Sequence, residues 1–528
     1  MTSNIVRSPY PDVTIPEVSL PALVFEEAAA RAAKPALIDG PSGRVLTFGE
    51  LAAGARMVAA GLAARGFKRG DVFAIYCPNL PEYAVAYYGV QLAGGVNTTI
   101  NPLYTVDELA FQLNDAGASH LLTIPAFLDK AVQAAGKSGV REVFVLGGTE
   151  GATPFTELLR SGRELPDVAI DPRADLAALP YSSGTTGLPK GVMLTHRNLV
   201  ANLCQCVPVF DTGGDDVVIA IMPFFHIYGQ IVLMAAALWQ GATLVTMPRF
   251  DLEQFLRLMQ DHRVTRAFIA PPIALALARH PLVDQFDLSA LKSIVSGAAP
   301  LGAEVEEAIG KRLGCVISQG YGLTETSPVL TAHKPEESRI RHGSAGQLIP
   351  NTEAKVVDVV TGEALGRDQN GELCFRGPQT MRGYLNRPEE SQEMLRGEGW
   401  LHTGDIGYID EDGYVYIVDR VKELIKYKGM QVAPAELEAV LLSHPAIADA
   451  AVIRIPDEEA GEVPKAFVVA RGEVSADAVM AWVAERVAPH KKVRAVEFVD
   501  EIPKSMSGKI LRRVLTDREL QAHAGPSS

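Results

Sequence analysis

The chain has 528 residues, 47% hydrophobic and 21% charged, which suits a globular protein of roughly two to four domains and excludes a low-complexity or fibrous chain. Lys and Arg number 49 against 63 Asp and Glu, a formal charge of −14, so a nucleic-acid partner is not expected and any anionic ligand must be met by local cations and backbone N–H groups. Five scattered cysteines (Cys77, Cys204, Cys206, Cys315 and Cys374) make no disulfide framework and fit a reducing compartment, and Cys204-Gln-Cys206 lacks the second ligand pair of a zinc site.

Taken in chain order, the first 20 residues carry three prolines and no long apolar run, unlike a signal peptide. Strand-like apolar runs at 71–77, 120–124, 142–146 and 265–270 alternate with helical patterns. Asp251 precedes Leu252, Phe255, Leu256 and Met259, the spacing of a capped helix with one buried face. The alternation predicts layered α/β subdomains with largely parallel sheets. The most apolar stretch, 231–239, is far shorter than the roughly 20 residues of a membrane span. From 346 to 375 short strands split by Gly and Asn turns predict a small β subdomain, and 408–419 reads as two strand runs around an Asp-Gly turn.

Composition changes near residue 420. A lysine-rich segment at 420–431, which reads as mobile, is followed by a helix opened by Pro434 with Leu437, Val440 and Leu441 on one face. Strand runs at 450–455 and 465–470 and a helix at 477–487 complete a small α+β unit. The expected organisation is a large N-terminal domain over 1–419 and a mobile C-terminal domain over 420–528, hinged near 420–422. The last residues, Ala-Gly-Pro-Ser-Ser, are no peroxisomal address. The expectation is a cytoplasmic protein, monomer or homodimer, with no transmembrane segment.

The segment Tyr181-Ser182-Ser183-Gly184-Thr185-Thr186-Gly-Leu-Pro-Lys190-Gly concentrates hydroxyls, glycines and one lysine. Glycine lets backbone N–H groups approach an anion, the hydroxyls add donors and the lysine adds charge, so a polyphosphate is the fitting ligand. A Gly/Ser/Thr run alone is more often a plain surface turn; the Pro-Lys-Gly ending and the apolar strands on either side favour the phosphate reading. It is not a Walker A loop, because Lys190 leads into Gly-Val-Met-Leu, a strand rather than a helix.

This loop resembles the signature loop of the adenylate-forming superfamily of acyl-CoA synthetases, luciferases and adenylation domains. Further segments match in order: Gln319-Gly-Tyr-Gly-Leu-Thr-Glu325, Gly371-Glu-Leu-Cys-Phe-Arg-Gly377, Thr403-Gly-Asp405 and the lysine-rich hinge. The second of these, with its cysteine, and Lys426-Tyr-Lys-Gly-Met-Gln431 are most similar to 4-coumarate–CoA ligases. The resemblance implies an ATP-dependent, AMP-forming acid–CoA ligase using Mg²⁺ and coenzyme A, with a hydroxycinnamate or, alternatively, a medium- or long-chain fatty acid as the acid. No carrier-protein segment follows the C-terminal unit, which disfavours an adenylation module.

The resemblance also implies residue roles. Ser182, Ser183, Gly184, Thr185, Thr186 and Lys190 would cradle the phosphates, and Gln319, Gly320, Tyr321 and Thr324 the adenylate, with Glu325 as Mg²⁺ ligand. Asp405 and Arg420 would hold the ribose, with Lys422 at the hinge. Lys509 would be the adenylation lysine, a point charge on a flexible stem suited to bridging two anions. Lys428 and Gly429 would line the CoA channel, Lys426 and Gln431 would stand near the reacting groups, and Arg249 would meet a CoA phosphate. His226 would gate the acyl pocket, walled by Tyr228 and shaped by Gly297, Ala298 and Gly320. Outside that context the same residues would read as a turn aspartate (Asp405), a solvated linker (420–431), a basic tail (Lys509) and a packed core histidine (His226).

Overall fold

The computed structural model describes residues 4–523 apart from 149–150, 161, 163, 166, 183–188, 337–338, 429, 458 and 507. Ser183, Gly184, Thr185 and Thr186 of the phosphate loop and Gly429 of the lysine-rich segment lie outside the described residues. Among those described, the strands form four sheets. The first runs 181–182, 190–195, 176–178, 96–99, 72–76, 118–123, 142–145, 153–154, and is parallel from 176–178 onwards. The second runs 347–348, 329–332, 316–322, 293–296, 266–269, 217–220, 243–246, 35–39, 45–47, and is parallel from 316–322 to 35–39.

The apolar runs of the sequence are the inner strands of these sheets: Val72–Tyr76, Ala118–Thr123, Glu142–Val145 and Arg266–Ile269. Helices cover both faces of a parallel sheet, so its strands are apolar throughout rather than alternating. The helix Phe48–Ala64 starts on a capping box of Thr47 and Glu50, and His196–Phe210 on one of Thr195 and Asn198. Leu252–Asp261 is capped by Asp251, whose Oδ1 accepts from the Gln254 N–H at 2.8 Å, and buries Phe255, Leu256 and Met259. One large apolar core joins Phe73, Ile75 and Leu122 of the first sheet to Leu37, Val218 and Leu244 of the second through the helices Phe48–Ala64 and His196–Phe210, while Leu252–Asp261 packs into a second core. No helix among the described residues is long and apolar enough to cross a membrane.

The third sheet is the expected β subdomain, ordered 6–7, 353–357, 371–376, 400–409, 395–396, with 415–420 also on 400–409. The fourth runs 430–432, 425–427, 461–470, 447–457, with 495–498 on 461–470. Its strand Ile447–Asp457 sends Ala450 and Val452 to one core, under the helices Pro434–Leu442 and Ala476–Ala484, and Ala451 and Ile453 to another, with Leu515 of the last helix. The segment read from sequence as mobile is a hairpin here: Ile425–Tyr427 pairs with Met430–Val432, with Lys426 opposite Gln431. Its apolar Ile425 and Val432 are buried while its polar side chains face water, which hides the strand signal under the lysines.

The second sheet depends on one buried charge cluster. Asp216 is 4% exposed and accepts from Arg266 Nε at 2.7 Å, Lys292 Nζ at 2.9 Å, Thr265 Oγ1 at 2.8 Å and the Gly213 N–H at 2.9 Å. Burial alone would raise its carboxyl; the Gly213 N–H, Lys292, Arg266 and Thr265 outweigh it and hold the group at about 2. Asp216→Ala is expected to cost about 3–5 kcal/mol by leaving buried Arg266 uncompensated, read as a lower urea midpoint. Because the folded value lies below the ordinary 3.8, this contribution is present above about pH 4 and fades as pH falls towards 2, so the gap between wild type and Asp216→Ala should close in acid.

Candidate active site

Open parallel sheets bind ligands beyond the carboxyl ends of their strands. At that edge of the second sheet, Val217–Ala220 leads to His226 and Tyr228, Arg266–Ile269 to Ala270 and Pro272, Ser293–Ser296 to Gly297 and Ala298, and Val316–Gly322 to Thr324 and Glu325. The candidate residues scattered over a hundred positions of sequence therefore share one rim.

The phosphate loop joins the antiparallel strands Tyr181–Ser182 and Lys190–Thr195, with Ser182 opposite Lys190. Both ends of the loop are thereby held together. Tyr181 donates from its hydroxyl to Asp115 Oδ2 at 2.8 Å, and Asp115 also faces Arg387 at 3.4 Å. On the other side Lys190–Thr195 pairs with Gly383–Tyr384. That pairing sets Tyr384 between two predicted site residues: its hydroxyl donates to Glu325 Oε1 at 2.8 Å, and Lys190 Nζ lies 5.2 Å from its ring centre. Glu325 is buried on the short turn Thr324–Thr326. A buried carboxylate oriented by a hydroxyl on one of its oxygens can hold a hard, oxygen-seeking cation together with phosphate oxygens.

A second group forms around Asp405. Its strand pairs with Val415–Arg420, so Asp405 and Arg420 are cross-strand partners, and Arg420 Nε meets Asp405 Oδ1 at 3.0 Å. The Tyr321 hydroxyl donates to Asp405 Oδ2 at 2.6 Å. Burial pushes the Asp405 carboxyl up, with Arg420 and Tyr321 opposing. Lys509 reaches the same place from the C-terminal unit. Burial, then the Arg420 guanidinium, pulls its ammonium down to about 8, against the pull of Glu423 and Asp405. His226 is brought down to about 4 by burial and by the charge of Lys509, so it is neutral near pH 7.

The lysine loop is seated by a glycine. Gly508 has φ +81°, and a Cβ there would lie 2.8 Å from Pro272 Cδ and 3.2 Å from Ala270 Cβ. Lys509 N–H donates to Ser505 Oγ at 3.1 Å, which closes the turn.

The acyl-pocket candidates also meet. The Tyr228 ring lies across Gly297, where a Cβ would be 3.2 Å from the ring, and its hydroxyl donates to the Val295 carbonyl at 3.4 Å. Ala298 holds φ +73°, a left-handed conformation that costs a non-glycine residue about 1–2 kcal/mol and is typical of ligand sites. Gly320 borders the antiparallel strand Val329–Ala332. Gln319 turns its amide to the Leu301 backbone, accepting at 2.7 Å and donating at 2.8 Å, and so supports the rim rather than facing into it.

Other candidates stand apart. Lys428 pairs with Glu459, the Lys426 N–H donates to Glu462 at 2.7 Å, and Lys426, Lys428 and Gln431 are all exposed on their hairpin. Arg249 and Lys422 are exposed as well. The structure thus places Lys509 in the cleft and the hairpin lysines outside it. Sequence reasoning missed Tyr384, Asp115 and Pro272, and the seat of Gly508 on Pro272, which arise from contacts between segments distant in the chain.

The family model described as AMP-binding enzyme matches residues 24–385, and that for the AMP-binding enzyme C-terminal domain matches 436–509. A rice (Oryza sativa subsp. japonica) protein named 4-coumarate–CoA ligase 5 is 45% identical over 97% of this chain and 96% of its own length. A Pinus taeda 4-coumarate–CoA ligase is 44% identical over 98% of each. Among solved structures, the anthranilate CoA ligase AuaEII in complex with anthranoyl-AMP superposes with a TM-score of 0.89 at 28% identity, covering 97% of this chain and 99% of that one. ATP-bound MatB from Rhodopseudomonas palustris superposes with a TM-score of 0.85 at 30% identity, covering 95% and 99%.

The seat of the lysine loop is open to test without an activity assay. Gly508→Val should push the loop off Ala270 and Pro272. Hydrogen exchange over 503–511 is expected to speed up while exchange in the two large sheets stays unchanged; unaltered protection of that segment would refute the tight fit.

Proposed function

Because the chain belongs to the AMP-binding enzyme family and is an AMP-forming acid–thiol ligase, we propose that it activates 4-coumarate or a close hydroxycinnamate and transfers it to coenzyme A, as the relatives 43–45% identical to it are named for doing. The observation that carries the mechanism is the seating of Lys509 beside Asp405, Arg420 and His226.

In the first half-reaction the acid's carboxylate attacks the α-phosphorus of ATP, an acyl–phosphate bond forms and pyrophosphate leaves. Two anions must meet, so positive charge held in a desolvated cleft lowers the barrier. The 182–186 loop and Lys190 cradle the phosphates, Thr324 and the backbone at 319–321 receive the adenylate, and Asp405 with Arg420 holds the ribose. Lys509 spans the carboxylate and the α-phosphate. Glu325 would hold Mg²⁺, oriented by Tyr384, and the ion would neutralise polyphosphate charge there. Tyr228, Gly297, Ala298 and Gly320 would wall the acyl pocket, their small residues suiting a flat ring, with His226 as an uncharged gate.

In the second half-reaction the thiol attacks the acyl carbonyl and AMP leaves. The C-terminal unit 420–528 turns about 420–422, withdraws Lys509 and brings in the hairpin bearing Lys426, Lys428, Gly429 and Gln431, while Arg249 meets a CoA phosphate. This supports an ordered use of one site by two loops. The exposed position of the hairpin while Lys509 is seated is what such an exchange requires.

Lys509→Ala is expected to lose pyrophosphate exchange by orders of magnitude yet convert supplied acyl-adenylate to thioester, and Lys428→Ala to do the reverse; equal loss of both steps in either variant would refute the two-loop scheme. Lys509 acts as a cation, so kcat/KM for adenylation should fall as pH rises through about 8, its value in the free protein. That alkaline limb should move upward in Lys509→Arg. Incubation with ATP, Mg²⁺, CoA and a panel of acids should release AMP and thioester fastest with 4-coumarate; a preference for fatty acids would overturn the choice of acid and leave the ligase chemistry standing.

A further inference from the structure

Behind the ribose aspartate lies a cluster that the reaction above does not use. Glu372 and Cys374 are on the strand Gly371–Arg376, and His402 is on the neighbouring Trp400–Ile409, where Cys374 and His402 are cross-strand partners. Strand alternation puts Glu372 and Cys374 on one face, and the pairing brings His402 to the same face. His402 Nδ1 lies 2.9 Å from Glu372 Oε2 and 3.4 Å from Cys374 Sγ, and one ligand atom from each residue falls within 4.8 Å of the others. Cys374 is buried, while Glu372 and His402 are 17% and 15% exposed and open a path to solvent.

We propose that Glu372, Cys374 and His402 form a binding site for a borderline-soft divalent cation of the zinc class, distinct from the Mg²⁺ site at Glu325. A tetrahedral ion with metal–nitrogen and metal–sulfur bonds near 2.0 and 2.3 Å sets those atoms about 3.6 Å apart and the nitrogen and carboxylate oxygen about 3.4 Å apart. The thiol and imidazole already stand near that spacing, and the carboxylate needs to retreat by about half an ångström. Binding deprotonates the Cys374 thiol and releases that proton to water; neutral His402 coordinates through Nδ1, and water completes the fourth position. One carboxylate and one thiolate balance the ion's charge. Without an ion, burial and the Glu372 carboxylate push the Cys374 thiol up to about 12 against the weaker pull of Lys355 and Arg396, so the bound cation itself must stabilise the thiolate; Lys355 lies over the Trp400 ring at 4.4 Å. The other Glu372 oxygen accepts from the Gly404 N–H at 3.0 Å, so the site abuts the turn that carries Asp405.

Cobalt(II) titration of the full chain tests this, because only a thiolate ligand gives an intense sulfur-to-cobalt charge-transfer band, which an all-oxygen site at Glu325 cannot produce. One equivalent of Co²⁺ is expected to raise the band and one equivalent of Zn²⁺ to abolish it. Cys374→Ser and His402→Gln should each lose the band, and Cys315→Ser should keep it. His402→Gln changes a part-exposed side chain, so the assignment stays testable if Cys374→Ser fails to fold. No band in the wild-type protein, or a band that persists in folded Cys374→Ser or His402→Gln, would overturn the proposal.

Discussion

Tyr321 and Arg420 both end on the buried carboxylate of Asp405, and Lys509 is seated beside it. Tyr321 comes from the second parallel sheet, Asp405 and Arg420 from the β subdomain, and Lys509 from the C-terminal unit. Three separately built parts of the molecule thus converge on one charged group. A buried charge is tolerable only when it is paired and hydrogen-bonded. The geometry around Asp405 is therefore tightly specified, and the positions of Arg420, Tyr321 and Lys509 are specified with it.

The other half of the site is organised by Tyr384. Its hydroxyl holds Glu325 and its ring faces Lys190, so the phosphate loop and the proposed metal carboxylate share one aromatic support. The support comes from main-chain pairing of Gly383–Tyr384 on Lys190–Thr195, which adds an edge strand to the first sheet. Preorganisation of this kind lets the cleft present its charges without rearrangement when the polyphosphate arrives.

The chain is acidic overall, yet its cleft collects Lys190, Arg420 and Lys509. Desolvation makes each of these cations electrostatically stronger than it would be in water. It also sets protonation: His226 is kept neutral, and Lys509 stays charged at neutral pH with little to spare. The tethers to the exposed hairpin, Glu459 and Glu462, lie within the C-terminal unit, so the hairpin is fixed to that unit.

Local patterns in the chain were enough for the α/β layers, the β subdomain, the capped helix at 252–261 and the small C-terminal unit, because period, capping and turn chemistry act within a few residues of one another. The same locality made the phosphate loop and the motifs around Glu325, Asp405 and Lys509 legible. The hairpin at 425–432 was missed as structure, since its exposed Lys426, Lys428 and Gln431 mask the two apolar residues, Ile425 and Val432, that bury it. Gln319 lay in a legible motif, yet the direction of its amide was decided by Leu301, which the motif does not contain. Tyr384 and His402 carry no local signal, and although Glu372, Cys374 and Gly508 lie in or beside motifs that stand out in the chain, what they touch depends on a strand pairing or a surface contributed from elsewhere. Sequence by itself determined which chemistry the chain carries, because the family resemblance that implies it rests on ordered motifs, each of a few residue types at short spacing. Which side chains meet, and that Lys509 rather than Lys428 occupies the cleft, only the tertiary structure decided, because those are contacts across sheets and between the C-terminal unit and the rest of the chain.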